Sequence, residues 1–169
     1  MATNMNVSLN YGSHLASLIK AFGKTTGDVL ELGMGVFSTP YLHYACILSN
    51  RHLVSYENYK EWMGFFLKYN YPCENHEINF VEKYADAKID RPWDVVLVDM
   101  TPDDERIKAV RRLANLTKYI IIHDSSDKDE RVYHYSEIYP LFKYRADWVK
   151  DKNHATILSN FVDLKDFWL

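Results

Sequence analysis

One segment constrains the fold more than any other: Val-Leu-Glu-Leu-Gly-Met-Gly-Val-Phe-Ser-Thr, at residues 29–39. Its apolar, strand-like beginning ends at a Gly-x-Gly turn, and a helix-like segment follows. A strand that leads through a glycine turn into a helix is the nucleotide-binding half of a doubly wound α/β fold. The segment therefore predicts a parallel sheet with a ligand site at the end of its first strand.

The residues of this turn also restrict the ligand. The third glycine of the dinucleotide fingerprint is missing, because Ser38 stands in its place. Glu31 lies just before the turn, where it would repel a pyrophosphate. Both features favour a cofactor without phosphates and with a cationic amino-acid part, such as S-adenosylmethionine, whose carboxylate would bind backbone N–H groups at the helix start. The predicted cofactor-binding residues of this segment are Glu31, Gly33, Met34, Gly35, Ser38 and Thr39.

Hydrophobic periodicity predicts that strands and helices alternate along most of the chain. Strands are expected at 28–32, 52–57, 78–81, 93–99 and 118–124, and helices at 13–22, 39–48, 60–69, 103–116 and 130–141. Ser13 is the expected N-cap of the first helix. Two further strands, at 144–149 and 155–161, form a hairpin candidate. The pattern predicts an α/β fold with a doubly wound, mostly parallel, seven-stranded sheet and a C-terminal antiparallel hairpin strand.

Length, charge and composition indicate the class of protein. With 169 residues, 47% of them apolar, the chain is expected to form a single domain over residues 1–169. The net charge of −3 gives no basic footprint for nucleic acid. No apolar run reaches the roughly 20 residues that span a bilayer, and the polar N-terminus lacks a signal-peptide core. We therefore expect a cytoplasmic protein, with no membrane or nucleic-acid partner and with Cys46 and Cys73 as unpaired thiols.

Acidic residues end four of the predicted strands: Glu31, Glu57, Asp99 and, after His123, Asp124. A single such acid is expected to cap a helix or face water. Four acids at one edge of a sheet repel one another, which favours a binding crevice at the carboxyl ends of the strands. Glu57 lies about 22 residues beyond Gly35, close to the spacing at which an acid accepts hydrogen bonds from ribose hydroxyls.

Residues 29–39 together with Glu57 resemble the first two motifs of Rossmann-like (class I) S-adenosylmethionine-dependent methyltransferases. The resemblance implies the sheet described above, gives Glu57 the ribose role and places Asp86 near the adenine amino group. Asn58 belongs to the same predicted cofactor site, and Trp62 either stacks on adenine or is a tryptophan of the core or the surface. The segment Tyr11–His14 resembles the lead-in that covers the methionine end of the cofactor in small O-methyltransferases.

The predicted reaction centre consists of Asp99, His123 and Asp124, with Asp99 also counted in the cofactor site. Methyl transfer requires the protein to hold the acceptor close and to take up its proton. A histidine at a strand end suits that task, because its pKa lies near neutrality. The alternative is a histidine bonded to Asp99 or Asp124 for structural reasons alone.

A divalent metal is considered but not favoured. Asp99, Asp124 and Asp127 are similar to the acids of metal-dependent O-methyltransferases, and oxygen ligands suit Mg²⁺. Those enzymes have asparagine directly after the second acid, whereas this chain has Ser125. The predicted metal site is therefore none.

The sequence thus predicts an S-adenosylmethionine-dependent methyltransferase that acts on an oxygen of a small molecule or a sugar-like acceptor. The acceptor side would include some of the tyrosines Tyr133, Tyr135 and Tyr139, for which core packing is the alternative. Because the chain is short, the site needs an acceptor on a larger molecule, closure by the N-terminal segment, or a second subunit in a homodimer. Two other functions remain open: a cofactor-binding sensor or partner subunit without transferase activity, and an enzyme that cleaves the cofactor.

Overall fold

A seven-stranded sheet organises the residues that this computed structural model describes, 12–68 and 73–169. Tyr11 and the predicted helix end at 69 lie outside these ranges. The strands are β1 (Val29–Leu32), β2 (Leu53–Glu57), β3 (His76–Phe80), β4 (Trp93–Val98), β5 (Thr117–His123), β6 (Tyr144–Trp148) and β7 (Ala155–Ser159). The helices of the described ranges are α1 (Leu15–Gly23), α2 (Ser38–Leu48), α3 (Lys60–Leu67), α4 (Asp104–Leu113) and α5 (Glu130–Tyr133).

The strand order is β3-β2-β1-β4-β5-β7-β6. Strands β1 to β5 pair in parallel, and β7 is antiparallel to both β5 and β6. The chain runs outward from β1 to β3 and then crosses to β4 on the other side of β1. Because the order reverses between β1 and β4, the crevice at their carboxyl ends is where ligands bind in sheets of this kind. The predicted sheet and its C-terminal hairpin are confirmed.

The central strands are buried on both faces, which is why they are apolar almost throughout. Helices α1 and α2 cover one face with side chains such as Leu18 and Leu42. Helix α4 covers the other face with Val110 and Leu113. Within the described ranges, no helix combines the length and apolar character that a bilayer crossing requires.

The predicted helix over 130–141 is wrong. Helix α5 ends at Tyr133, because His134 adopts a left-handed conformation with φ of 52°. Two short 3₁₀ turns follow, at Tyr135–Glu137 and Tyr139–Leu141. The break turns Tyr135 into the core, where it is 1% exposed, and burial of that ring outweighs the helical propensity of the segment.

Both cysteines are free thiols, as predicted. Cys46 is buried in α2 and Cys73 is exposed. Burial raises the pKa of the Cys46 thiol to about 12, so this side chain packs as a small apolar group.

Candidate functional site

The turn after β1 needs glycine at position 33. Gly33 has a φ of 88°, a conformation that side chains rarely adopt. A Cβ at this position would also lie 2.5 Å from the backbone oxygen of Asp99. The turn therefore packs directly against the end of β4, and this close approach brings Asp99 beside the glycine turn.

Two backbone N–H groups of the turn are bonded within the protein. Met34 N donates to Glu57 Oε2 at 2.9 Å, and Gly35 N donates to Thr39 Oγ1 at 2.9 Å. The sequence suggested that amides of this turn bind the carboxylate of a cofactor. These two are already paired with protein oxygens in the structure, so such a carboxylate would need other donors.

Glu31 lies beneath the turn and is fully buried. Its Oε1 accepts hydrogen bonds from Ser38 Oγ at 2.7 Å and Thr39 Oγ1 at 2.9 Å, and its Oε2 accepts one from Ser55 Oγ at 2.6 Å. Burial raises the pKa of this carboxyl to about 7. Glu31, Ser38 and Thr39 thus bond to one another and fix the start of α2, a structural role that the sequence did not distinguish from ligand binding.

Glu57 ends β2 and accepts three backbone hydrogen bonds. Oε2 accepts the bond from Met34 described above. Oε1 accepts hydrogen bonds from the N–H groups of Asn58 and Tyr59, both at 2.9 Å. Burial raises the pKa of Glu57, and these N–H donors partly oppose that shift. The carboxylate is held rigidly across the turns after β1 and β2, in the position that the sequence predicted for a ribose-binding acid.

A cleft of about 230 Å³ opens between these turns. Its lining residues are Gly33, Met34, Glu57, Tyr59, Trp62, Asp99, Met100 and Thr101. The Trp62 indole donates to the backbone oxygen of Met34, which fixes the ring at the cleft wall. Asn58 Nδ2 donates to Thr101 O at 2.7 Å and joins the loops after β2 and β4. Asp86 lies exposed in the 3₁₀ turn Tyr84–Asp86 and is not among the lining residues, so its adenine role stays a prediction.

Asp99 and His123 meet at the ends of neighbouring strands. His123 Nδ1 lies 3.0 Å from Asp99 Oδ1, and the histidine is 3% exposed. Burial lowers the pKa of His123, but the Asp99 carboxylate outweighs it and holds that pKa above its ordinary value. Burial alone would raise the pKa of Asp99, and the neighbouring His123 and Arg106 hold it below its usual range. The pair is therefore a carboxylate that orients an imidazole and increases its basicity.

Arg106 is a residue of the candidate site that the sequence interpretation did not identify. This residue of α4 is 2% exposed, and its Nη2 lies 3.0 Å from Asp99 Oδ1. Its other donors bond the backbone oxygens of Met100 and His123 and the hydroxyl of Tyr135. The available signal was its position on the apolar stripe of the helix, four residues before Val110. A buried arginine needs such a full set of acceptors.

Ser13 is not a helix cap, because α1 begins at Leu15 without a side-chain capping bond. Its Oγ instead lies 2.8 Å from Nε2 of His123. Next to it, His14 is 1% exposed, and its ring lies edge-on to that of His123 at 4.8 Å. Neither ring nitrogen of His14 has a hydrogen-bond partner in the part of the chain that the structure describes. The residues just before α1 thus cover the predicted reaction centre with the bonded hydroxyl of Ser13 and the imidazole of His14.

Asp124 follows His123 in a left-handed conformation with φ of 53°. Its oxygens accept from Asn153 Nδ2 at 2.8 Å and from the Tyr133 hydroxyl at 3.4 Å. Burial raises the pKa of Asp124. Tyr133 lies at the edge of the site with its ring 4.3 Å from the Arg106 guanidinium carbon. Tyr139 packs against the core.

The arrangement does not assemble the three acids considered for Mg²⁺. Asp127 is exposed, whereas Asp99 and Asp124 share the guanidinium of Arg106, which lies 3.0 and 3.7 Å from their oxygens. Ligand atoms of His14, Asp99 and His123 do lie within 4.8 Å of one another. The buried guanidinium already supplies the positive charge at Asp99, and a divalent ion beside it would be repelled.

Comparison with solved structures gives matches over most of the chain. A proposed O-methyltransferase from Klebsiella pneumoniae has a TM-score of 0.62 at 15% identity, over 94% of this chain and 83% of the other. The cofactor-bound Rv0187 from MTB has a TM-score of 0.64 at 17% identity, over 95% and 84%. The N-terminal domain of human METTL16 in complex with SAH has a TM-score of 0.60 at 10% identity, over 89% and 71%.

The chain has the Rossmann-like methyltransferase fold. No family model and no curated protein sequence matches it, so the assignment depends on structure. At these identities the likeness establishes the methyltransferase fold, and the reaction has to be argued from the site. In this methyltransferase fold, the cleft beside Gly33 and Glu57 and the pair Asp99–His123 lie at the carboxyl ends of adjacent strands.

Proposed function

We propose that the protein is an S-adenosylmethionine-dependent methyltransferase that acts on an oxygen of a small molecule or a sugar-like acceptor. One observation carries this proposal: Asp99 both lines the cleft beside the glycine turn and bonds His123. A cofactor in that cleft would therefore lie next to an oriented base. This is the requirement of methyl transfer to a hydroxyl group, in which a positioned acceptor loses a proton.

The residues of the cleft suit an adenosyl amino acid. Glu57 would accept hydrogen bonds from the ribose hydroxyls through the lone pairs that its backbone partners leave free. Trp62 offers an aromatic face at the cleft wall, and Asp99 offers a carboxylate for an ammonium group. When bound, the cofactor supplies an activated methyl group on a sulfonium sulfur.

His123 is the proposed proton acceptor. Its Nδ1 is held by Asp99, so Nε2 is the nitrogen that faces an incoming hydroxyl. Ser13 Oγ lies 2.8 Å from that Nε2, which supports a site that receives a hydroxyl group. In the proposed reaction, the acceptor oxygen takes the position of the Ser13 hydroxyl and passes its proton to Nε2.

The decisive experiment compares His123→Ala with the wild type. Calorimetry should give the same affinity for S-adenosylmethionine, whereas turnover with an acceptor found by screening hydroxyl compounds should fall by about 10²-fold or more. His52→Ala, at a half-buried histidine paired with Glu77, is the control and should keep wild-type turnover. Unchanged turnover in His123→Ala would remove this histidine from the mechanism.

The two other functions give different results in the same assays. Cofactor binding without turnover across the acceptor panel would indicate a sensor or partner subunit. Consumption of S-adenosylmethionine in the absence of any acceptor would indicate a cleavage enzyme. If calorimetry shows no cofactor binding, the proposed function is wrong.

A further inference from the structure

A serine, a histidine and an aspartate form a continuous hydrogen-bonded series at the reaction centre. Ser13 Oγ lies 2.8 Å from His123 Nε2, and His123 Nδ1 lies 3.0 Å from Asp99 Oδ1. We infer that Ser13 is an activated nucleophile and that the protein also hydrolyses small carboxylic esters through an acyl-serine. This inference goes beyond methyl transfer and does not depend on it.

The order of the contacts matches the roles that such a reaction needs. A serine hydroxyl is a weak nucleophile unless an adjacent base removes its proton. The base must in turn be oriented by a third group on its other nitrogen, so that the correct tautomer faces the serine. Here each of the two ring nitrogens of His123 has one of these partners. The three residues come from distant parts of the sequence. Catalytic triads of this kind are identified by their geometry and not by their positions in the sequence.

The charges around the series favour its active state. Arg106 lies 3.0 Å from Asp99 and keeps this residue ionised. The ionised Asp99 then stabilises the imidazolium that forms when His123 takes the serine proton. Asp124 lies 3.6 Å from His123 Nδ1 and adds a second acidic neighbour.

His14 gives an independent indication of a ligand. It is 1% exposed, and neither of its ring nitrogens has a hydrogen-bond partner among the described residues. A buried polar group without a partner destabilises the fold, and a bound ligand atom would remove that cost. Burial lowers the pKa of His14 to about 4, so at neutral pH the ring is uncharged and carries one N–H donor. The Asp99 carboxylate lies beyond hydrogen-bond distance, with its Oδ2 3.8 Å from His14 Nδ1, so a ligand atom can still bond to this ring.

The burial of Ser13 restricts the substrate. The residue is 3% exposed, so only a small acyl group such as acetyl is expected to reach its hydroxyl. An exposed leaving alcohol can differ in size, because it departs after the first step. The expected substrates are therefore short-chain esters with a variable alcohol part.

The reaction balances with water as the second substrate. Ser13 Oγ attacks the ester carbonyl while its proton passes to His123 Nε2. The carbon–oxygen bond to the alcohol breaks, and the alkoxide leaves with the proton from His123. Water then loses a proton to His123 and attacks the acyl-serine. The acid is released and Ser13 recovers its proton.

Two small probes test the inference on the full chain. Methanesulfonyl fluoride, a reagent about as small as an acetyl donor, should sulfonylate Ser13, as located by peptide mass spectrometry, and p-nitrophenyl acetate should be hydrolysed faster than in buffer. In Ser13→Ala both reactions should fall at least about 100-fold. Ser17 in α1 provides the matched control, because its hydroxyl is buried like that of Ser13 but lacks a partner among the described residues. Ser17→Ala should react like the wild type.

The outcomes separate this inference from the proposed methyl transfer. Labelling of Ser13 without binding of S-adenosylmethionine would support the nucleophile and refute the methyltransferase. The inference would be overturned if neither probe reacted, if the label lay on another residue, or if Ser13→Ala kept wild-type hydrolysis. His123→Gln gives a second test, because it should slow both reactions while circular dichroism shows a folded protein.

Discussion

Arg106 Nη2 lies 3.0 Å from Asp99 Oδ1, which joins α4 to the end of β4 at the predicted reaction centre. The same oxygen receives His123 Nδ1 at 3.0 Å. One carboxylate oxygen therefore interacts with both an arginine and a histidine, in a site with little contact with solvent. The properties of the centre depend on this shared atom.

Removal of the guanidinium should destabilise the fold. Arg106→Gln removes the buried guanidinium that, together with His123, balances the charge of the half-buried Asp99, and breaking a buried pair costs about 3–5 kcal/mol. Urea denaturation measures the change in the free energy of unfolding. Arg111→Gln, on the same helix, removes an exposed pair with Glu137 and should cost less than about 1 kcal/mol. Equal effects of the two changes would show that the buried pair has no special role.

Glu57→Gln should weaken cofactor binding. The carboxylate of Glu57 accepts from the backbone N–H groups of Met34 and Asn58 and, in the proposed complex, from the ribose hydroxyls. The amide of glutamine has one acceptor oxygen fewer and no negative charge. Losing a hydrogen bond to a charged group costs about 1.5–3 kcal/mol, so calorimetry should show about 10- to 100-fold weaker binding of S-adenosylmethionine. Glu77→Gln on β3, an exposed acid, should bind as the wild type does. An unchanged affinity for Glu57→Gln would separate this acid from the cofactor.

Methyl transfer should accelerate as the pH rises. His123 must be neutral to accept a proton, and Asp99 holds its pKa above the ordinary value of 6.5. The groups that face it are Asp99, Asp124, Arg106, Ser13 and His14. The rate with a saturating acceptor should therefore rise with an inflection above pH 6.5. A rate that is flat between pH 6 and 9 would contradict proton uptake by this histidine.

Gly33→Ala should disrupt the glycine turn. The added Cβ would meet the Asp99 backbone oxygen at 2.5 Å in a conformation with positive φ, and the cost is on the order of 3 kcal/mol. A Cβ added at Gly64 in α3 would meet no described atom within 4 Å. Gly64→Ala should therefore stabilise the protein by about 0.5–1 kcal/mol. Chemical denaturation of both variants checks the opposite signs.

His14 should make the protein less stable in acid. Its pKa falls from 6.5 in the unfolded chain to about 4 in the fold, so the unfolded state binds more protons between these values. Its contribution to stability is fully present above pH 6.5 and is lost as the pH falls towards 4, by up to about 3 kcal/mol. His14→Phe should show a smaller decrease in the free energy of unfolding from pH 7 to 4. An identical decrease would exclude this histidine as the cause.

Local patterns were enough to predict the sheet and the strand ends. The run of apolar residues before Gly33 and the acids at the ends of four strands are patterns between near neighbours in the sequence. The structure confirms the strands that these patterns predict. The helix over 130–141 failed because burial of Tyr135 is decided by distant residues. Ser13 was assigned to a cap for the same reason, since its partner His123 lies 110 positions away.

The sequence by itself determined which residues end the strands, because periodicity and glycine positions act between near neighbours. Those residues include Glu57, Asp99 and His123. Only the tertiary structure decided how they bond, since hydrogen bonds and desolvation depend on which side chains the crossover between β1 and β4 brings together. In the folded chain, Glu31 bonds to the residues that begin α2, and Arg106 is buried against Asp99. Ser13 bonds to the ring nitrogen of His123 that Asp99 leaves free.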